Sequence, residues 1–261
     1  SALHDGERFV AERFATVVFT EATRDRIKDR PAEHWQAAAL GTSQGVEGFS
    51  PLPAVAGELD GIVRTGEDDG TGVLPGVVYM DEGFTRQALV DVLDQRYPVV
   101  HLASHFVLQP GVERDSFLVL GDGERLTLDQ ISTGELDFRG VDLLTLSACE
   151  TAVGGEGADG REVEGFGALA QRHGAKGVLA TLWPVDDPST GQFMCDLYGR
   201  RAGTEDLSKA EALRQVQLEF LRRPSVTDGE GNESAARGAS VRTTEGVGAD
   251  DAGSEYDHPY Y

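Results

Sequence analysis

Two runs decide how this chain folds: Pro98-Val-Val-His-Leu-Ala-Ser104, which leads into His105, and Val141-Asp-Leu-Leu-Thr-Leu-Ser-Ala148, which leads into Cys149. Each is short, rich in branched residues and apolar on both sides of its alternation. Inner strands of a parallel sheet look like this because helices cover both of their faces. Gly177-Val-Leu-Ala-Thr-Leu182 is a third run of the same kind, and residues 17–20 and 76–80 are weaker strand candidates. Helix-period stretches lie between them. After Ser50-Pro51, Val55, Leu59, Ile62 and Val63 share one face, and residues 85–96 bring Leu89, Val92 and Leu93 together. Thr127-Leu-Asp-Gln130 and Ser208-Lys-Ala-Glu211 have the spacing of a capping box, the second opening a helix with Leu213, Val216, Phe220 and Leu221 inward. Residues 164–173 with Gly174 behind them read as a helix closed by a glycine cap. Asp122-Gly123, between Phe117-Leu-Val-Leu120 and Arg125-Leu126, reads as a hairpin turn. Strands alternating with helices predict an α/β fold, a mainly parallel sheet covered by helices.

The rest of the composition bounds the function. The 261 residues hold 23 Lys plus Arg against 45 Asp plus Glu, a formal charge of −22. A phosphate backbone is repelled by that balance, so direct nucleic-acid binding is not expected, whereas a cationic protein or peptide is drawn in. No apolar run approaches the roughly 18 residues that a membrane span needs, and no signal-peptide core is present, which gives the cytoplasm as the expected compartment. Cys149 and Cys195 are too few for a disulfide scaffold and are read as thiols. Residues 66–72 and 224–257 have the composition of solvated acidic, glycine-rich loops. The expected organisation is one domain over 1–261: an N-terminal half (1–97), a catalytic half (98–223), the acidic loop (224–257) and the start of a further element at 258–261.

Cys149 and His105 each close a predicted inner strand. Ligands of open α/β sheets bind beyond the carboxyl ends of the strands, and neighbouring strand ends are about 5 Å apart. A thiol there becomes a nucleophile when an imidazole lowers its pKa and later returns the proton to a leaving amine. His101-Leu-Ala-Ser-His105 also has the HxxxH spacing of a helical zinc pair, but on a strand residues four apart lie about 13 Å apart, too far for one metal. His101 is therefore read as a core histidine. Gly155-Glu-Gly157-Ala-Asp-Gly160 matches a dinucleotide fingerprint in form, yet it carries two acids and stands away from the strand end. Asp186 and Asp187 follow Ala180-Thr-Leu-Trp183-Pro-Val, where they cap the helix beginning near Ser189, form a pocket for a cation such as an Arg or Lys side chain, or do both. Cys195, among Phe193, Met194, Leu197 and Tyr198, is read as a packed helical thiol.

Taken in order, His101-Leu-Ala-Ser-His105, Asp115-Ser116-Phe-Leu-Val-Leu120, Leu146-Ser-Ala-Cys149-Glu-Thr151, Gly174-Ala175 and Ala180-Thr-Leu-Trp183-Pro-Val-Asp186-Asp187 resemble the CHAT domain family of caspase-like, separase-related domains. Phe49-Ser-Pro-Leu-Pro-Ala54, Gly72-Val-Leu-Pro-Gly76, Ser208-Lys-Ala-Glu-Ala-Leu213 and His258-Pro-Tyr-Tyr261 extend the similarity over nearly the whole chain. The resemblance implies a caspase/separase-like sandwich with helices on both faces of the sheet. It also implies a cysteine peptidase dyad of His105 and Cys149, and Asp187 or Asp186 as the acid that holds a basic residue at the cleavage site. Where caspase-type enzymes usually carry glycine after the histidine, Phe106 stands here; its backbone N–H, with that of Cys149, is the expected oxyanion hole. The implied partners are a protein substrate and a regulatory protein or tetratricopeptide repeat segment, and the chemistry requires no metal or cofactor. The other readings are a catalytically silent protein-binding module and, on the glycine loop alone, a dinucleotide-binding oxidoreductase.

Overall fold

The computed structural model describes residues 8–18, 20, 32–66, 70–107, 116–150, 161–180, 188–204 and 206–222, with backbone only at 148–150, 161–164 and 188. Eight strands form one sheet: β1 (Ala37–Gly41), β2 (Val63–Arg64), β3 (Leu74–Met80), β4 (Val99–Val107), β5 (Phe117–Val119), β6 (Arg125–Thr127), β7 (Leu143–Glu150) and β8 (Val178–Ala180). The helices among the described residues are α1 (Ala54–Ile62), α2 (Arg86–Asp94), α3 (Leu128–Ser132), α4 (Arg161–Arg172), α5 (Pro188–Ala202) and α6 (Lys209–Arg222). The chain divides into two compact units, Val18–Leu207 and the pair Ser1–Val17 with Ser208–Tyr261.

In the larger unit the strands run β2-β3-β1-β4-β7-β8, all parallel, and the antiparallel β5–β6 pair joins β4 at Phe106↔Leu118 and Val107↔Phe117. The expected α/β fold is thus found. After β1 the chain builds outward to β2 and β3, then returns to lay β4 on the other side of β1. That reversal makes the carboxyl ends of β1 and β4 a topological switch point.

Strand alternation gives the two faces of this sheet different contents. Val100 and Leu102 of β4, with Ala38, Leu40, Leu144 and Leu146, pack in a continuous apolar core with Leu89, Val92 and Leu93 of α2, Ile131 of α3, and Phe166 and Leu169 of α4. The other face carries His101, Ala103, His105, Thr145 and Ser147, and meets α1 and α5. Local signals account for the helix ends. Thr85 caps α2 by accepting from the Ala88 N–H at 3.1 Å, and Thr127 with Gln130 forms the capping box of α3. Gly174 takes a φ of 128° after α4, and Gly123 a φ of 87° in the β5–β6 turn, both of which need glycine's freedom.

One expectation is corrected. Val17 and Val18 belong to no strand and are exposed, at 54% and 79%, while Phe19 lies outside the described residues. The strand that occupies the sheet instead is β1, Ala37-Ala38-Ala39-Leu40-Gly41, fully buried yet poor in the residues that favour strands. Its small side chains are what the packing demands. A Cβ on Gly41 would stand 2.7 Å from Val55 Cγ1 and 2.9 Å from the Ala103 carbonyl oxygen, so α1 and β4 approach at a distance that only glycine permits. In the smaller unit, Ser208 caps α6 at the Glu211 N–H; Val216 is buried as expected, joined by Ala212 and Leu218, while Leu213, Phe220 and Leu221 are half-buried. Arg214 fixes the rotation of α6 by donating to the carbonyls of Ala11 (2.7 Å) and Glu12 (2.9 Å) in a 3-10 turn at Val10–Glu12.

Candidate active site

β4 and β7 pair in parallel register from Val99↔Leu143 to Phe106↔Glu150, and His105 and Cys149 are partners in that register. Both stand at the carboxyl ends of their strands, His105 beside the switch point between β1 and β4. The two predicted strand ends are therefore neighbours, as close as strands in a sheet can bring them.

His105 is 1% exposed. Its Nε2 lies 2.9 Å from the Ser50 carbonyl oxygen. A carbonyl only accepts, so Nε2 carries the hydrogen, and in the neutral ring Nδ1 is left with its lone pair. Nδ1 is buried and has no hydrogen-bond partner among the described residues. The Phe49 ring covers the imidazole, with centroids 5.0 Å apart and planes tilted by 32°, and is itself braced edge-on by Phe117 at 6.3 Å. Burial pushes the His105 pKa below the ordinary histidine value, and the hydrogen bond to Ser50 opposes the shift in part. The outcome at neutral pH is an uncharged ring with a fixed tautomer and a basic nitrogen.

Ser50 was not among the residues expected at the site. It sits in the β1–α1 connection, where Pro51 behind it excludes helical backbone and supplies no N–H of its own. That connection is tied down at its start. Asp81, just past β3 with a φ of 49°, accepts the N–H groups of Ser43 (2.7 Å) and Gln44 (3.0 Å) and the Ser43 hydroxyl. Partial burial works to raise the Asp81 pKa, but the hydrogen bonds from Gln44 and Ser43 carry it below the usual carboxylate value. Leu52 then donates its N–H to the Ser43 carbonyl at 3.0 Å, and Val55 to the Leu52 carbonyl at 3.1 Å, leading into α1.

Phe106 is an ordinary strand residue, absent from the positive-φ positions, paired with Leu118 and Glu150, with its ring edge-on to Phe166 at 5.9 Å. Asp186, Asp187, Asp115 and the glycine-rich residues 154–160 lie outside the described residues. His101 is fully buried, as read from the sequence, with one ring nitrogen hydrogen-bonded and the other in polar contact with a carboxylate. Nδ1 is 2.9 Å from the Tyr198 hydroxyl and Nε2 is 3.1 Å from Glu58 Oε1. Cys195 is half-buried in α5, and burial, then the negative charges of Asp196 and Glu58, push its thiol pKa up, away from nucleophile character.

A family model for the CHAT domain matches residues 1–261, the whole of the chain. The chain belongs to the CHAT domain family. CHAT domains are caspase-like and related to cysteine peptidases, and the mostly parallel sheet with its helices is the α/β fold of such a domain. No curated protein matches the sequence. Among the described residues of this CHAT domain, no helix is long and apolar enough to cross a membrane.

Proposed function

We propose that this CHAT domain is a cysteine endopeptidase that cleaves protein substrates after Arg or Lys. The observation that carries the reading is the register of His105 with Cys149, together with the Ser50 carbonyl that holds His105 in its Nε2–H tautomer. With Nε2 committed, Nδ1 is the nitrogen that takes the Cys149 proton. The thiolate attacks the scissile carbonyl, and the resulting oxyanion is held by the N–H groups of Cys149 and Phe106. Phe106 is the last β4 residue in register with β7, so its amide stands where that parallel ladder ends. The C–N bond breaks as the imidazolium gives its proton to the leaving amine. Water then hydrolyses the thioester and restores the thiol. Asp187 or Asp186 is the proposed acid for the basic residue, a choice consistent with the charge of −22.

The burial of His105 under Phe49 supports a resting state whose opening a partner or an attached domain promotes. The same burial favours the second reading, a silent binding module in which the cleft never opens. A peptide library carrying Arg and Lys, assayed together with an arginyl chloromethyl ketone, separates the two. The peptidase labels at Cys149 and not at Cys195, and loses both cleavage and labelling in Cys149→Ala and His105→Ala. Turnover that persists in either variant ends the dyad reading. Charge reversal at Asp187 and at Asp186, tested separately, removes the basic preference in one of them; unchanged preference in both moves the pocket elsewhere.

A further inference from the structure

Beneath the proposed dyad, the same sheet face holds a buried polar cluster that the mechanism above does not use. Glu58 of α1 is 7% exposed, and His101 of β4, Thr145 of β7 and Tyr198 of α5 are fully buried. The Tyr198 hydroxyl is 2.7 Å from Thr145 Oγ1 and 2.9 Å from His101 Nδ1. Burial pushes the Tyr198 phenol far above its ordinary pKa, so it remains a hydroxyl with one hydrogen to give. If that hydrogen goes to Thr145, Nδ1 must donate to Tyr198. If Thr145 donates instead, Tyr198 donates to Nδ1 and the ring hydrogen sits on Nε2. On the far side of the ring, Nε2 stands 3.1 Å from Glu58 Oε1. The contact is off the line of a ring N–H and is a polar contact rather than a hydrogen bond; neither atom has a hydrogen-bond partner among the described residues.

The second oxygen of Glu58 accepts from the Ser147 hydroxyl at 3.2 Å. One carboxylate therefore joins α1 to β4 through His101 and to β7 through Ser147. Ser147 is two residues before Cys149 in β7, and His101 is four before His105 in β4. From above, α5 closes on the same point: a Cβ on Gly191 would stand 3.3 Å from Glu58 Cα, and one on Gly61 would stand 2.8 Å from Cys195 Sγ. An unpaired carboxylate at such a depth is costly, so its partners fix where α1 lies. At its other end α1 continues back through Pro53 and Leu52 to Ser50.

We infer that Glu58 is a positioning residue: its bridge to His101 and Ser147 sets α1 against the two strands of the dyad, and through the Ser50 carbonyl holds His105 toward Cys149. This rests on the dyad reading and adds a residue to it. Glu58 does not touch substrate, and it acts through the placement of the His105 acceptor.

The test is the pH profile of Cys149 alkylation by iodoacetamide on the full chain, with the two thiols resolved by peptide mapping. In the unsubstituted chain the inflection falls below the ordinary thiol value of about 8.5. Glu58→Gln, which keeps the size and loses the charge, raises that inflection by about one pH unit and slows alkylation at pH 7 about tenfold, as the thiolate fraction requires. Ser147→Ala, which removes one hydroxyl, moves the inflection the same way by about half a unit. Circular dichroism records whether each variant is folded at the assay temperature; if Glu58→Gln is not, Ser147→Ala decides alone. A folded variant whose profile superimposes on that of the unsubstituted chain overturns the inference and leaves the dyad standing. An ordinary thiol inflection in the unsubstituted chain overturns the dyad reading itself, and the inference with it.

Discussion

The two faces of β4 are one residue apart in sequence and opposite in character. Val100 and Leu102 point into an apolar core shared with α2, α3 and α4, whereas on the other face His101 meets Glu58 and Tyr198 and His105 meets Ser50 and Phe49. A strand flanked by helices on both sides has no need of polar groups for its stability, since hydrocarbon on both faces would serve better. The division teaches that one face is hydrocarbon throughout, whereas the other sets its histidines among apolar side chains such as Val55, Leu59 and Leu197 that also hold the sheet.

Substitution on each face puts a scale on that division. Leu102→Ala, in the apolar core, should cost about 2–5 kcal/mol in denaturant unfolding and leave the His105 tautomer as it is in nitrogen NMR spectra. If the tautomer changes as well, the faces are coupled and the contrast fails. Tyr198→Phe takes one oxygen from the polar face and leaves His101 Nδ1 and Thr145 without their shared partner. The expected loss is about 1–3 kcal/mol, with the His101 ring resonances shifted. A neutral effect would mean that the hydroxyl contributes packing alone.

The remaining two effects are smaller and appear through pH. His105 should titrate below its ordinary value of about 6.5 when followed by NMR in Cys149→Ala, where no thiolate can hold the imidazolium, because burial disfavours the charged ring. Its folded pKa is depressed, so the neutral ring favours the folded chain above the unfolded pKa. That contribution is lost as pH falls through the mid-sixes toward the folded value, and the slope is absent in His105→Gln. A midpoint at or above 6.5 would contradict the burial. Asp81 is also depressed, but as an acid: it stabilises the fold above the ordinary carboxylate range and loses that contribution as pH drops through its folded value. Asp81→Asn should abolish this acid-side slope and speed amide exchange at Ser43 and Gln44. Unchanged exchange there would show that Leu52 and Ser43 hold the β1–α1 connection without it.

Much of this frame is legible from residue order alone. Apolar runs locate β4, β7 and β8, the cap and turn residues Thr85, Thr127, Gly123 and Gly174 mark ends that the fold keeps, and the two strand ends bring His105 beside Cys149. What escapes has physical causes. β1 is written in alanines, which have no strand signature, and it gains its place from the need for thinness under α1. Ser50 acts through a carbonyl oxygen, a group that every residue carries, so no side chain announces it. Glu58 shares the helical face of Val55, Leu59 and Ile62, so its spacing marks it as buried, but its partners His101 and Ser147 are too distant in sequence to be read from it.

Gly41 shows where such an architecture is vulnerable. Because α1 rides on a bare Cα, a single added methyl group there would act as a wedge, tilting the helix and drawing the Ser50 oxygen away from the ring it steadies. The first side chains such a wedge displaces are the buried Val55 and Leu59, so the shift of α1 reaches the ring and the packing together. One methyl on a strand would thus be read out at the far end of the β1–α1 connection, as a loosened imidazole.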